Sequence, residues 1–145
     1  MDPLTLRIIF QLLFATFLGV IVGLERQYKK KPAGLRTHSL VSLGSVLFTI
    51  LSVEGFPGAG LAYDPSRIAA QIVVGVGFIG AGVIFVHGGG VRGLTTATSV
   101  WVASAIGVAV GLKFYIVAAV TAFLAIVILS VLKRFESHIE KSNGE

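Results

Sequence analysis

Between Gly23 and Ser39 the chain reads GLERQYKKKPAGLRTHS, a basic, turn-rich stretch caught between two apolar runs. The whole chain has 145 residues, of which 54% are hydrophobic and only 13% charged. Soluble domains carry about 25% charged residues, so the apolar runs are too continuous and too poorly charged for an ordinary globular core. A net charge of +5 could point to nucleic acid. Here the basic residues sit in short loops that flank apolar runs, which is the pattern of a membrane protein obeying the positive-inside rule and not of a nucleic-acid binder. With no cysteine, disulfides and thiolate metal sites are excluded.

Working outward from that stretch, five segments meet the requirement of about 20 predominantly apolar residues for a helix crossing the bilayer. They run from about Leu4 to Leu24, Thr37 to Val53, Ile68 to Val86, Thr95 to Gly111 and Phe114 to Leu132. The second and fourth are short and rich in Ser and Thr. The link VGLKFY between the fourth and fifth is tight enough to require a helical hairpin, and no ten-residue alternation of a membrane β-barrel is visible. The first loop, the third loop and the C-terminal end share one side and hold nine basic residues: Arg26, Lys29, Lys30, Lys31, Arg36, Arg92, Lys133, Arg134 and Lys141. The opposite side holds three, Arg7, Arg67 and Lys113. The fold class expected is an all-α integral membrane protein, a bundle of five transmembrane helices with the N-terminus outside and the C-terminus cytoplasmic. A membrane domain over 1–132 and a short cytoplasmic tail over 133–145 follow. The first segment lacks a basic n-region and a small-residue cleavage site, so it reads as a span and not as a signal peptide.

In lipid, helices associate by close backbone approach at small residues and by polar contacts. Gly19 and Gly23 form a GxxxG on the first span. Gly77 and Ala81 lie on a small face of the third. Ser99, Ala103, Gly107 and Gly111 form an unbroken row on the fourth. These rows place the first, third and fourth helices at the tight centre and leave the bulky fifth facing lipid. They serve packing, within one chain or between protomers, or they thin the wall of a pathway.

Charged residues cost roughly 2.5–3.5 kcal/mol near the centre of a span and far less at its edge. Glu25 at the inner edge either pairs with Arg36 or Arg26 to fasten the first two helices, or forms part of a polar pocket at the cytoplasmic mouth that binds a cation or relays a proton. A single carboxylate among so many bases makes a poor Mg²⁺ site, since hard cations want several oxygens, so a metal there would need Thr hydroxyls, backbone carbonyls or a second protomer. Lys29, Lys30 and Lys31 read as a topology anchor on anionic lipid. His38 and His87 read as hydrogen-bonded residues at helix ends. In HGGGVRGLTTATS, Thr95 or Thr96 can cap the fourth helix. The exposed amides there, near Arg92, suit either a tight turn or an anion contact. On the outer side, Asp64, Pro65 and Arg67 read as a helix start. Arg7 with Gln11 and Arg67 with Gln71 share an i, i+4 spacing, so the two pairs either snorkel separately or face a shared vestibule.

Three of these blocks, GLERQYKKKPAGLRTHSLVSLG, DPSRIAAQIVVGVGFIGAGVIF and VRGLTTATSVWVASAIGVAVG, resemble the signature blocks of the MgtC/SapB family of bacterial inner-membrane proteins. The match runs roughly from Gly19 to Gly111. By resemblance the polar positions would be Glu25, Arg26, Arg36, Thr37 and His38, then Asp64, Arg67 and Gln71, then Arg92, Thr95, Thr96 and Trp101. The resemblance implies a multi-pass plasma-membrane protein tied to low magnesium, acid stress and virulence-type adaptation. It also implies the F-type ATP synthase as a membrane-protein partner. Many members append a cytoplasmic domain of ACT-like fold, so this chain reads as a short form.

Two functions compete. One is a regulator of membrane energetics or ion homeostasis acting through membrane-protein contacts, as a homo-oligomer with a dimer favoured. The other is a small homo-oligomeric carrier or channel for Mg²⁺, K⁺ or H⁺, its route lined by Glu25, Arg36, Asp64 and Arg67. Five spans are few for a carrier, and no inverted repeat is evident. No Ser-His-Asp or His-cluster spacing is present, so neither an enzyme nor a cofactor is expected, and the bilayer itself is the first partner.

Overall fold

The computed structural model describes residues 2–56, 64, 66–87 and 90–132. The outer loop and the tail expected over 133–145 lie largely or wholly outside these residues, as does Pro65. Helix α1 runs Pro3–Tyr28, α2 Leu35–Glu54, α3 Ser66–Ala81, α4 Leu94–Gly111 and α5 Tyr115–Val127, and a π-helical turn over Ile128–Leu132 continues α5. Helices α1, α2, α4 and the α5–π continuation are long and apolar enough to cross a membrane. The fold is that of an all-α membrane protein.

The third expected span does not reach Val86. Helix α3 ends at Ala81, and Phe85–His87 (β1) pairs antiparallel with Gly90–Arg92 (β2). Gly82 and the β-branched run that follows end the helix, and apolar periodicity alone does not separate a short apolar strand from a helix end. Gly93, at φ +93, closes the hairpin back onto Val83, where a Cβ would collide with the carbonyl oxygen. Only glycine serves both demands. With 16 residues, α3 is about 24 Å long, short of a hydrocarbon core about 30 Å thick.

The tight centre is formed by α1, α2 and α4, with α2 in the place expected of α3. Helix α2 packs most extensively against α1 on one side and α4 on the other. A Cβ on Gly19 would lie 2.8 Å from the His38 carbonyl oxygen, and one on Gly23 2.8 Å from Leu35 Cα. From the other side, a Cβ on Gly107 would collide with the Ser42 carbonyl, and one on Gly111 would lie 2.6 Å from Thr49 Cβ. Two glycine rows thus hold the α2 backbone like a clamp, with Ser99 and Ala103 continuing the buried face of α4. Ala15, Leu18, Val22, Val46, Ile50, Ile106 and Val110 fill the space around the clamp.

Helix α3 rests on this centre through Ile72, Val76 and Gly80, the last facing Ala97 of α4. Gly77 and Ala81 point the other way, and a Cβ on Gly77 would meet nothing within 4 Å. On α5 only Ala118 and Ala122 are buried. Its bulky residues face outward, while Tyr115 stacks edge-on with Phe10 and Phe14 of α1 at ring distances of 5.5 and 6.1 Å. The α4–α5 hairpin turns at Lys113, whose φ of 69 costs about 1–2 kcal/mol relative to glycine.

Alanine substitution separates the two kinds of glycine. Gly107→Ala forces the α2–α4 contact apart and is expected to cost about 1–3 kcal/mol, read as a lower unfolding temperature in detergent. Gly77→Ala meets open space and gains up to about 1 kcal/mol of helix propensity, so its unfolding temperature should hold or rise.

Candidate functional site

At the basic end of the bundle, the last turn of α1 carries Glu25 and Arg26, with Lys29 one turn further on. The Lys29 ammonium lies 2.6 Å from Glu25 Oε1, at ion-pair distance but outside hydrogen-bond geometry. Arg26 Nη1 donates to Glu25 Oε2 at 3.4 Å. Lys29 Nζ also donates to the Leu129 carbonyl at 3.1 Å, which fastens the end of α1 to the π-helical turn. Arg36 does not join this cluster. It is exposed and forms no ion pair among the described residues, because residues two apart on a helix point to nearly opposite sides and His38 takes the inward place. Thr37 is half-buried beside it.

His38 is fully buried, with Nδ1 2.9 Å from the Gly34 carbonyl and Nε2 3.0 Å from Ser99 Oγ. A carbonyl only accepts, so Nδ1 carries a proton. The single Ser99 proton then has two acceptors in reach, the imidazole Nε2 and the Thr96 carbonyl at 2.7 Å. This chain of contacts joins the start of α2 to the first turn of α4.

Further along α2 follows a line of hydroxyls that the sequence reading did not single out. Ser42 donates to the Ala15 carbonyl of α1 at 2.8 Å, Ser45 bonds Ser104 of α4 at 2.8 Å, and Thr49 donates to the Ser45 carbonyl at 2.8 Å. The signal was present as a polar stripe at helical spacing, 38, 42, 45, 49 and 52. At the far end Gln11 is buried and donates to the carbonyls of Val110 and Gly111 at 2.7 and 3.1 Å.

The outer residues do not converge on one vestibule. Arg7 pairs with Glu54 at 2.6 and 2.7 Å, joined by Lys113 at 3.2 Å. Arg67 and Gln71 are exposed on α3, and Gln71 borders a largely apolar groove of 540 Å³ between α2 and α3. The inward turn of Gln11 and the separation of α3 from α1 keep the two Arg/Gln pairs apart. Asp64 accepts from the Ser66 amide at 2.9 Å and the Ser66 hydroxyl at 2.7 Å, and these bonds hold its carboxyl below the usual carboxylate range.

Neither Thr95 nor Thr96 caps α4. The cap position is Gly93 and makes no side-chain cap bond, because helical geometry already begins at Leu94 and places both threonines inside the first turn. Thr96 is buried, while Thr95 and Arg92 are exposed, as is His87 on β1. Thr95 and Thr96 line a cavity of 440 Å³ together with Arg26, Lys31 and the π-helical turn. Among the described residues no three His, Asp or Glu side chains gather. Glu25 and Glu54 each sit against lysine and arginine at opposite ends.

Lys29→Met removes both the Glu25 contact and the bond to Leu129, and a hydrogen bond from a charged donor contributes about 1.5–3 kcal/mol. Amide exchange over residues 128–132 should accelerate accordingly, while that of α2 stays at the wild-type rate.

A family model described as the MgtC family matches residues 12–138. The putative magnesium transporter YhiD of Escherichia coli (strain K12) is 40% identical over 144 residues, covering 97% of this chain and 67% of that protein. Protein MgtC of Salmonella typhimurium (strain LT2) is 48% identical over 104 residues, covering 72% of this chain and 43% of that protein. Protein MgtC of Brucella abortus (strain 2308) is 42% identical over 121 residues, covering 82% of this chain and 48% of that protein. The chain thus spans less than half the length of these two MgtC proteins. No solved structure matches.

Proposed function

The chain belongs to the MgtC family, and we propose from there that it regulates membrane energetics or ion homeostasis through contacts with other membrane proteins. Membership, with a relative named as a putative magnesium transporter, links this membrane protein to magnesium. One observation carries the regulatory reading. The centre of the bundle is closed, because α2 is gripped between two glycine rows and Ser42, Ser45 and Thr49 are spent on bonds to neighbouring groups. A hard cation in transit needs several oxygen ligands in succession. Glu25 and Glu54 are held by Lys and Arg instead. In this reading the protein sits in the bacterial plasma membrane, catalyses no reaction, and takes as partners a second copy of itself or an assembly such as the F-type ATP synthase.

A second reading has one observation in its favour. Helix α3 is short, and Gly75 and Gly77 on it have open space around them. The groove between α2 and α3 takes in Ser45 and Gln71 beside apolar residues. A homo-oligomer could complete that groove into a route for Mg²⁺, K⁺ or H⁺.

Proteoliposomes of the purified chain, assayed for flux of each of these three ions with Glu25→Gln as control, separate the readings. Folded protein is expected to give no flux above empty liposomes. Flux that Glu25→Gln abolishes would overturn the regulator and establish a minimal carrier.

A further inference from the structure

Arg26 presents a problem that its own contacts leave unsolved. It is 2% exposed, and a buried guanidinium brings five donors that cannot be given up by deprotonation. Its Nη1 contact to Glu25 is long at 3.4 Å, and its Nε has no partner among the described residues. Glu25 is meanwhile drawn to Lys29 at 2.6 Å. Leaving such donors empty away from water is costly, unless a ligand takes them up.

The cavity that Arg26 lines has a second donor wall. Gly93 is the cap position of α4, and Thr95 and Thr96 lie in its first turn. The opening amides of a helix have no intrahelical acceptor, no side chain caps this one, and the dipole of α4, 18 residues long, favours negative charge there. Gly93, left-handed at φ +93, brings the β1–β2 hairpin tightly onto that turn. Lys31, exposed, adds an ammonium to the same lining, and Leu129 lends an apolar wall. Among the described residues, the charged groups around the cavity are Arg26 and Lys31 in its lining, Glu25 and Lys29 paired beside Arg26, and Arg92 exposed next to Gly93.

We infer that this cavity at the basic end is a binding site for a phosphate-class oxyanion, held by the Arg26 guanidinium, the opening amides of α4 and the Lys31 ammonium. A guanidinium fork together with a helix N-terminus matches the several oxygens of a phosphate group. The phosphate has two sources, a soluble phosphate or the headgroup of an anionic phospholipid whose chains lie along α5. Occupancy is independent of whether the chain carries an ion.

The test uses the full chain in neutral detergent. Thermal unfolding is followed with added inorganic phosphate. Native mass spectrometry counts phosphatidylglycerol retained against phosphatidylcholine of the same acyl chains. Saturable stabilisation by phosphate assigns the soluble source, and selective retention of phosphatidylglycerol assigns the lipid. In either case Arg26→Gln should weaken binding about tenfold or more, and Lys31→Gln about threefold, while Lys30→Gln, at an exposed neighbour outside the cavity, leaves it unchanged. Should Arg26→Gln fail to fold, the contrast between Lys31→Gln and Lys30→Gln decides. Absence of both kinds of binding overturns the assignment. So does binding indifferent to Lys31→Gln, or weakened equally by Lys30→Gln, since that would be diffuse attraction to a basic surface.

Discussion

Everything in this bundle depends on how closely the backbone of α2 can be approached from two sides. Inside a bilayer, burying apolar surface against another helix contributes little, because lipid tails are as apolar as leucine. Attraction comes from dispersion, which requires contact, and from polar bonds. Gly19 and Gly23 on α1, with Gly107 and Gly111 on α4, remove the Cβ atoms that would hold those helices off α2. The hydroxyl bonds of Ser42 and Ser45 follow from that proximity. Each interhelical hydrogen bond in a membrane contributes on average about 0.6 kcal/mol, so the bonds fix register while the close contact supplies most of the cohesion.

Once α2 is enclosed, the rest of the layout has few alternatives. The ion pairs collect at the two ends. At one end Arg7, Lys113 and Glu54 tie α1, α2 and the α4–α5 turn together. At the other, Lys29 ties α1 to the last helix through Leu129, and Arg26 is left facing a cavity with donors to spare. Helix α3 is the exception. It is short and touches the centre along one narrow face, so most of its surface waits for lipid or another protein.

Much of this was legible in the chain. The basic stretch after Gly23 and the apolar runs around it give a membrane bundle and its connectivity, since span length and loop charge answer to the bilayer and to no other part of the protein. The VGLKFY hairpin reads correctly for the same local reason. Asp64 accepts from the Ser66 amide as a helix-start residue does. What misled were matters of facing. Gly77 and Ala81 have the spacing of a packing row yet both are exposed and a Cβ on Gly77 would meet open space, while Gly80 makes the contact with α4. Arg36 reads as a partner for Glu25 alongside Arg26, yet on α2 it is exposed while His38, two residues on, takes the inward place.

By itself the sequence determined that this protein lives in a membrane, how many helices it uses, and which loops are basic, because each of these is set by a segment's own composition against a solvent of fixed thickness. Only the tertiary structure decided that the Ser- and Thr-rich α2 belongs to the centre, that Gln11 turns inward to the end of α4, and that Arg26, Lys31 and the first turn of α4 share one cavity. Those outcomes depend on which faces meet. In lipid, small residues permit contact on any face that carries them, and the choice among faces is made only when all the helices pack at once.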